Sequence, residues 1–538
     1  MDVDKKEVKN TRKLKYGWGA AAITVLFVAA VVLLNITVSL ITKNFPLKAD
    51  LTSNKMYEIS QETRDYLNNL NTDVEIAVMA DETSFKAVPN NKSVAEVLEK
   101  YAVLTGHIKL KYLNPNSNPT EYDRYNSLYT GGVIEENMVV ITAGNKIRVH
   151  PTTDFYTMQY VDYTSEYPSV VGFKAEQIVT SGLMYVTDAN PQKAAFVMST
   201  RTAANNSALQ SLSYFLALNG YEMDNKEVNL DIEDITDDVD LLVLYAPMSD
   251  LTDTAIDKIE QFMDNDGKYG KNMLYAASLD QELTPNLDAY IEEWGFKLGR
   301  SLVLEDDEAK RQTVGLSAIG SQTSASVGYI DNTDYITDLP NVNIPIIVAY
   351  SRPIEILWDS MSGRTAYSLL KTSPTSYLYP TQEEETQEEE TASSTSETAE
   401  TTAQSETEES ETEAETTVFD SAGAPKSEQV VAAVCQKTKS GTDSQVYTGS
   451  VMVLGSALFT DYSLMSSNAC NNAAYIISAI NTMTGKDTSF LVSEKAFEDK
   501  SIVITKSEIK ALGFVVMGVI PIIVILLGVF VYIRRRNR

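Results

Sequence analysis

The 538-residue chain holds only two imidazoles, His107 and His150, and only two thiols, Cys435 and Cys470. Nucleophilic catalysis needs a nucleophile with a base in reach. In an amidotransferase-like or hydrolase-like α/β protein, the nucleophile stands on a sharp turn after a buried strand. The clearest such strand here, Leu241-Leu242-Val243-Leu244-Tyr245, runs into Ala246-Pro247-Met248, so proline occupies the turn. No Gly-x-Ser-x-Gly lies near any strand end. Both histidines precede residue 151, flanking the strands Ile108–Leu113 and Lys146–Val149, away from that turn.

Phosphate and metal chemistry find no better footing. Neither Gly-x-x-x-x-Gly-Lys-Ser/Thr nor Gly-x-Gly-x-x-Gly is present, so no nucleotide loop is expected. Asp264-Asn265-Asp266-Gly267 resembles the opening of a calcium loop, but the closing glutamate position holds Met273, and the stretch reads as a helix-ending turn. Asp237-Asp238 and Asp306-Asp307-Glu308 lack companion ligands and read as solvated loop charge. No Cys/His cluster has metal-ligand spacing. Cys435, in the apolar run from Val430, and Cys470, opening a helix, read as two buried free thiols; a disulfide is compatible but not implied. No catalytic, cofactor-binding or metal residue is therefore assigned, and no cofactor is expected.

The elements that would position any site fall into two α/β groups. Residues 50–190 give a helix led by Ser60, a strand at Val74–Met79, and a helix with Val94, Val97, Leu98, Tyr101 and Leu104 on one face. A strand at Ile108–Leu113 follows, and then Val133–Thr142 and Lys146–Val149 form a hairpin. This membrane-proximal unit is compatible with a thioredoxin-like arrangement, without any Cys-x-x-Cys and hence without a redox role. Residues 191–380 alternate strand and helix: Ala194–Met198, a helix closing at Gly220, Leu241–Tyr245, a helix ending near Gly267, Asn272–Ala277, and a helix capped by Thr284 with Pro285 in its first turn. Such alternation predicts an open parallel, Rossmann-like sheet. Residues 418–500, with a strand at Ser450–Ser456 and a helix over Asn471–Met483, are expected to return to that sheet.

Charge and hydropathy frame the rest. Apolar runs at 17–41 and 511–533 are each long enough to cross a bilayer, which takes roughly 20 residues. Each has its basic cluster on the terminal side, Lys5 to Lys15 in the tail 1–16 and Arg534 to Arg538 in the tail 534–538, so both termini are expected in the cytoplasm. The first run continues without a small-x-small cleavage site, which favours an anchor over a cleaved signal. The net charge of −30 makes nucleic acid an unsuitable partner. Residues 381–417 hold fourteen Glu with no Lys, Arg or large apolar residue, a composition that predicts a disordered acidic linker.

Taken in order, several segments make the chain resemble the gliding-motility-type ABC transporter auxiliary proteins (GldG family). They are Asp50-Leu51-Thr52 through Tyr57-Glu58-Ile59-Ser60, Asp240 through Pro247, the glycine turn after Phe262, and Val453-Leu454-Gly455-Ser456-Ala457-Leu458-Phe459 followed by 468–472. The terminal span with Pro521 and its arginine tail adds to the resemblance. Where that family often has a glycine pair, this chain has Asp266-Gly267-Lys268-Tyr269-Gly270. The resemblance implies a non-enzymatic auxiliary subunit in the plasma or inner membrane, accompanying an ABC permease and a separate ATPase, with its large α/β region outside the cytoplasm. The alternative is a membrane-tethered surface hydrolase working through carboxylates.

Overall fold

The computed structural model describes residues 57–159, 169–197, 206–223, 227–336, 343–381, 423–440, 446–467, 469–486 and 495–496, with Leu26, Ala29 and Leu339. From Ile59 onward the described residues form one compact unit, and Met1–Glu58 is a separate one. The runs 17–41 and 511–533, both basic tails and the stretch 381–417 lie outside the described residues apart from Leu26, Ala29 and Thr381. No helix among the described residues is long and apolar enough to cross a membrane.

The first half of the compact unit is built around a four-stranded sheet. The chain runs through α1 (Gln61–Asn68), β1 (Val74–Val78), α2 (Pro89–Leu104), β2 (Ile108–Tyr112), α3 (Pro119–Leu128), β3 (Val139–Ala143), β4 (Lys146–His150) and α4 (Ala175–Thr187). The sheet order is β2-β1-β3-β4, with β1 parallel to β2 and the β3 pairings antiparallel. Ser60 caps α1 as expected, its hydroxyl accepting from the Thr63 N–H at 3.2 Å. The hairpin is shorter than the apolar run suggested. Asn137 takes a left-handed φ of 67°, which turns the chain just before β3 and leaves 133–138 outside the ladder.

The second half centres on a larger sheet. Its elements are β5 (Lys193–Phe196), α5 (Asn206–Leu218), β6 (Glu222–Met223), β7 (Leu241–Tyr245), α6 (Asp253–Asp264), β8 (Asn272–Ala276) and α7 (Pro285–Glu293). Then follow β9 (Gln312–Leu316), β10 (Ser321–Ile330), β11 (Ile346–Val348), β12 (Arg364–Lys371), β13 (Val430–Ser440), β14 (Val446–Leu454) and α8 (Asn472–Thr484). Among the described residues, eleven strands make this sheet, ordered β9-β10-β12-β13-β14-β8-β7-β5-β6 with two short strands off the path.

The expectation of an open parallel sheet needs correcting, because the sheet is mixed. It is parallel across β14, β8, β7, β5 and β6 and antiparallel from β9 to β14. The outer antiparallel strands β9 and β10 escape a reading from sequence because they carry no continuous apolar run, whereas β13 opens on the apolar run from Val430. Ser321–Ile330, for example, is mostly exposed Ser, Thr and Gln at its start and gains buried residues only from Ala325. Chain on either side of 381–417 belongs to this half, where β12 pairs with β13.

Helices cover both faces of the parallel half. On one face Leu242, Leu244, Met273, Tyr275, Val451 and Val453 pack with Ile259, Phe262 and Met263 of α6 and Leu287, Tyr290 and Ile291 of α7. On the other, the Tyr245 hydroxyl meets the Ala457 carbonyl and Thr460, and Thr460 donates to the Ala208 carbonyl of α5 at 3.1 Å. A Tyr221–Asn481 bond of 2.9 Å then joins the end of α5 to α8. Every residue of β7 and β8 is buried, as a strand covered on both faces must be.

Two measurements test this packing. Leu244→Ala should cost about 2–5 kcal/mol in urea unfolding, the range for truncating a close-packed core side chain; a cost below 1 kcal/mol would mean that the α6–α7 face is not packed. The second concerns Glu305, which accepts from Ser373 Oγ, Thr375 Oγ1, Ser376 Oγ and the Asp307 N–H at 2.5 to 3.2 Å. Burial pushes its carboxyl up, but these donors outweigh burial and hold it below the usual carboxylate range. A depressed folded pKa contributes stability that is complete above the unfolded value of about 4.3 and disappears as pH falls through the folded value. Glu305→Gln should therefore lower the urea midpoint at pH 7 and flatten its decline as pH falls below the unfolded value of about 4.3.

Candidate functional site

In open α/β sheets the crevice for ligands lies beyond the carboxyl ends of the parallel strands. Here that edge is formed by the ends of β7, β8 and β14. Ala246, the first residue after β7, has a left-handed φ of 37°, and its N–H donates to the Ala276 carbonyl at 2.7 Å. A positive φ is rare for alanine and costs free energy, so this is the strained turn on which an α/β enzyme would hold a nucleophile. A fully buried methyl group stands there instead.

Beside it the crevice is filled by the chain's own backbone. The Arg352 N–H donates to the Gly455 carbonyl at 2.9 Å, laying Ser351-Arg352-Pro353 across the end of β14. This close approach requires glycine, because a Cβ at 455 would lie 2.3 Å from the Arg352 carbonyl oxygen and 2.5 Å from Ser351 Oγ. Arg352 is almost fully buried, its Nε donating to the Gly299 carbonyl at 2.7 Å and its Nη2 to the Leu298 carbonyl at 3.2 Å. Against β8, the Gln281 amide contacts the Tyr275 hydroxyl at 2.9 and 3.1 Å and donates to Thr284 Oγ1 at 3.2 Å. Burial pushes the Tyr275 hydroxyl up to about 12, with nearby Arg352 pulling the other way.

The carboxylates at this edge are engaged in holding elements together. Asp250 accepts from the N–H groups of Asn286 at 2.9 Å and Leu287 at 3.2 Å. It therefore caps α7, a role the sequence assigned to Thr284, whose side chain makes no cap bond. Asp288, one turn in, is half-buried; burial raises its carboxyl, while Arg352, a 3.2 Å bond from Thr284 and Arg300 oppose the rise. Asp461 is fully buried and accepts from the N–H groups of Ser317, Ala318 and Ser463 at 2.7 to 2.9 Å, pinning the β9–β10 turn to the segment after β14.

Acids gather in two other concave places. A cavity of about 250 Å³ at the opposite end of the sheet is lined by Asp234, Asp237 and Asp266 with Lys258 and Lys271. The Lys271 ammonium there already donates to the carbonyls of Asp237 and Val239 at 2.7 and 2.5 Å. An open groove of about 540 Å³ holds Asp331, Asp334 and Asp359, with Lys371 paired to Asp331 at 2.7 Å. Among the described residues no group of three or more His, Cys, Asp or Glu could hold a metal ion.

The residues weighed for chemistry in the sequence are not brought together. His107 bonds Asp73 at 2.9 Å and His150 lies 3.5 Å from Asp154, both in the first half. Cys435 and Cys470 are buried free thiols in different clusters of the core. Burial pushes the Cys435 thiol up to about 12, and the Cys470 S–H donates to the Leu464 carbonyl at 3.1 Å. Asp264 closes α6, and its carboxylate accepts from the Gly267 N–H at 2.8 Å. Asp237-Asp238 and Asp306-Asp307-Glu308 are loop charge, with Asp238 paired to Lys193 and Asp306 to Lys426. Sequence reasoning missed Arg352, Gln281, Asp288 and Asp461, none of which stands in a local motif.

Comparison with known proteins adds little to this geometry. Residues 53–152 match a domain of unknown function, DUF7088. No curated protein matches the chain. Of solved structures, the mmIFT52 N-terminal domain is similar at 12% identity and a TM-score of 0.33, over 56% of this chain and 100% of its own. A putative ThuA-like protein from Bacteroides uniformis is similar at 14% identity and a TM-score of 0.24, over 35% of this chain and 71% of its own. Likenesses this slight carry no inference about function.

Gly455→Ala tests the filled crevice. Its methyl group would meet backbone on one side and Ser351 on the other, so a loss of about 3 kcal/mol or more is expected. Gly315→Ala, whose added methyl meets nothing within 4 Å, serves as the near-neutral control. Equal unfolding midpoints for the two variants would show that the 351–353 segment does not occupy the end of β14.

Proposed function

We propose that this chain is a non-enzymatic, membrane-anchored auxiliary subunit of an ABC transport system of the GldG type. Its α/β region lies outside the cytoplasm and binds a partner or substrate through its surface. The observation that carries this reading is the occupied crevice: an alanine at the strained turn after β7, and Ser351-Arg352-Pro353 lying across the end of β14. A fold that fills its own customary ligand crevice has its remaining capacity for recognition on the outside. The parallel run β14-β8-β7-β5-β6, with helices on both faces, supports the Rossmann-like part of the reading. The order β2-β1-β3-β4 followed by α4 supports the thioredoxin-like part. The two terminal apolar runs with outer basic clusters supply the anchors and the orientation.

A surface hydrolase working through carboxylates has one observation on its side. Asp288 is half-buried with a raised carboxyl, and the charge of Asp250 contributes to the rise. Asp250, however, caps α7 with both oxygens, which commits that acid to the helix end.

The deciding experiment is purification of the full chain after mild detergent extraction from its native membrane. An ABC permease and ATPase are expected to co-purify, and Asp288→Asn should leave their recovery unchanged. A chain recovered alone would overturn the auxiliary-subunit reading.

A further inference from the structure

A charged side chain without a counter-charge stands at the edge of the small sheet. Arg148 lies on β4, opposite Ile141 of β3, and β4 is the outermost strand. Its guanidinium lies over the Tyr185 ring of α4, with Cζ 3.6 Å from the ring centroid. Lys146, two residues earlier and so on the same side of the strand, approaches the same ring at 5.6 Å and donates to the Asp188 carbonyl.

The Arg148 side chain makes no hydrogen bond and no ion pair with any described residue, and its Nη2 is shielded from solvent without a partner. Burial pulls its pKa down, opposed by Tyr185, Glu222 and Tyr129. Glu222, on the edge strand β6, contributes only at a distance, since no ion pair joins the two. A guanidinium carries five N–H donors and stays protonated in proteins, so sheltering its Nη2 group without a partner is costly. Folded chains pair nearly all such groups. The ring clamp fixes the plane of the fork and leaves its donors aligned for a second planar or tetrahedral group, which lowers the entropic cost of binding one.

We propose that Arg148, held on Tyr185 beside Lys146, is a receptor for an oxyanion, a carboxylate or a phosphate borne by a ligand or partner of this chain. The fork geometry suits two parallel N–H···O bonds, Lys146 adds positive charge, and Glu222 limits affinity by repulsion.

The test uses the full chain in detergent micelles, melted in chloride, sodium phosphate and sodium succinate at equal ionic strength. Wild type should melt on the order of 2–4 °C higher in at least one oxyanion than in chloride, through stabilisation by binding. Phosphate alone raising the melt assigns a phosphate ligand, and succinate alone a carboxylate. Arg148→Met, which keeps an apolar stem on Tyr185, should melt no lower than wild type in chloride and lose the oxyanion rise. Arg148→Lys should keep the charge and lose most of the rise, and Glu222→Gln should enlarge it. The proposal is overturned by an absent rise in wild type, or by an equal rise in Arg148→Met. It is also overturned if Glu222→Gln abolishes the rise and lowers the melt in chloride, which would make Glu222 the partner of Arg148. Should Arg148→Met fail to fold, the Arg148→Lys and Glu222→Gln comparison decides alone.

Discussion

The parallel pairing of Asn272–Ala276 with Ser450–Leu454 is the joint on which the second half of the molecule depends. β8 is buried on both faces, so an open edge there would expose unpaired N–H and C=O groups in an apolar setting, at a cost of a few kcal/mol for each group left unsatisfied. β14 closes that edge from a point more than 170 residues along the chain. The same strand pairs antiparallel with β13 on its other side and thereby joins two kinds of sheet into one.

That joint also explains the filled crevice. Once β14 lies beside β8, the loop leaving it must turn at Gly455 under the Arg352 backbone, and Ser456 must begin the turn that brings Thr460 to Tyr245. Arg352 and Gln281 then seal the space with bonds to carbonyls and a buried tyrosine. Polar and charged groups at this edge serve as internal fasteners. Asp250 and Asp461 show this most plainly, since each uses both oxygens to hold a neighbouring backbone segment.

Buried charge is treated differently in the two halves. Around the large sheet, Lys271, Arg352 and Asp461 are satisfied by backbone groups fixed by the fold. In the small sheet Glu75 gathers Lys111, Arg124 and Tyr125, whereas Arg148 has a ring for a neighbour and no ion pair with a described acid. A fold able to surround one charge so completely and leave another unanswered makes the second the more informative.

Much of the local structure was legible in the residues alone. Ser60 as a cap, the face of α2 from Val94 to Leu104, the buried run Leu241–Tyr245 and the left-handed stop at Gly220 each follow from forces acting within a few residues. What sequence alone could not supply was every relation across long chain separations. The outer antiparallel strands β9 and β10 are polar with little periodic signal, and Asp250 rather than Thr284 caps α7 because the fold brings it within reach. The isolation of Arg148 is likewise visible only once the neighbours that fail to answer its charge are known. Sequence thus determined where the apolar strands and amphipathic helices form, through periodicity and capping; tertiary structure alone decided where the polar antiparallel strands form and which buried groups are satisfied, because their partners come from distant parts of the chain.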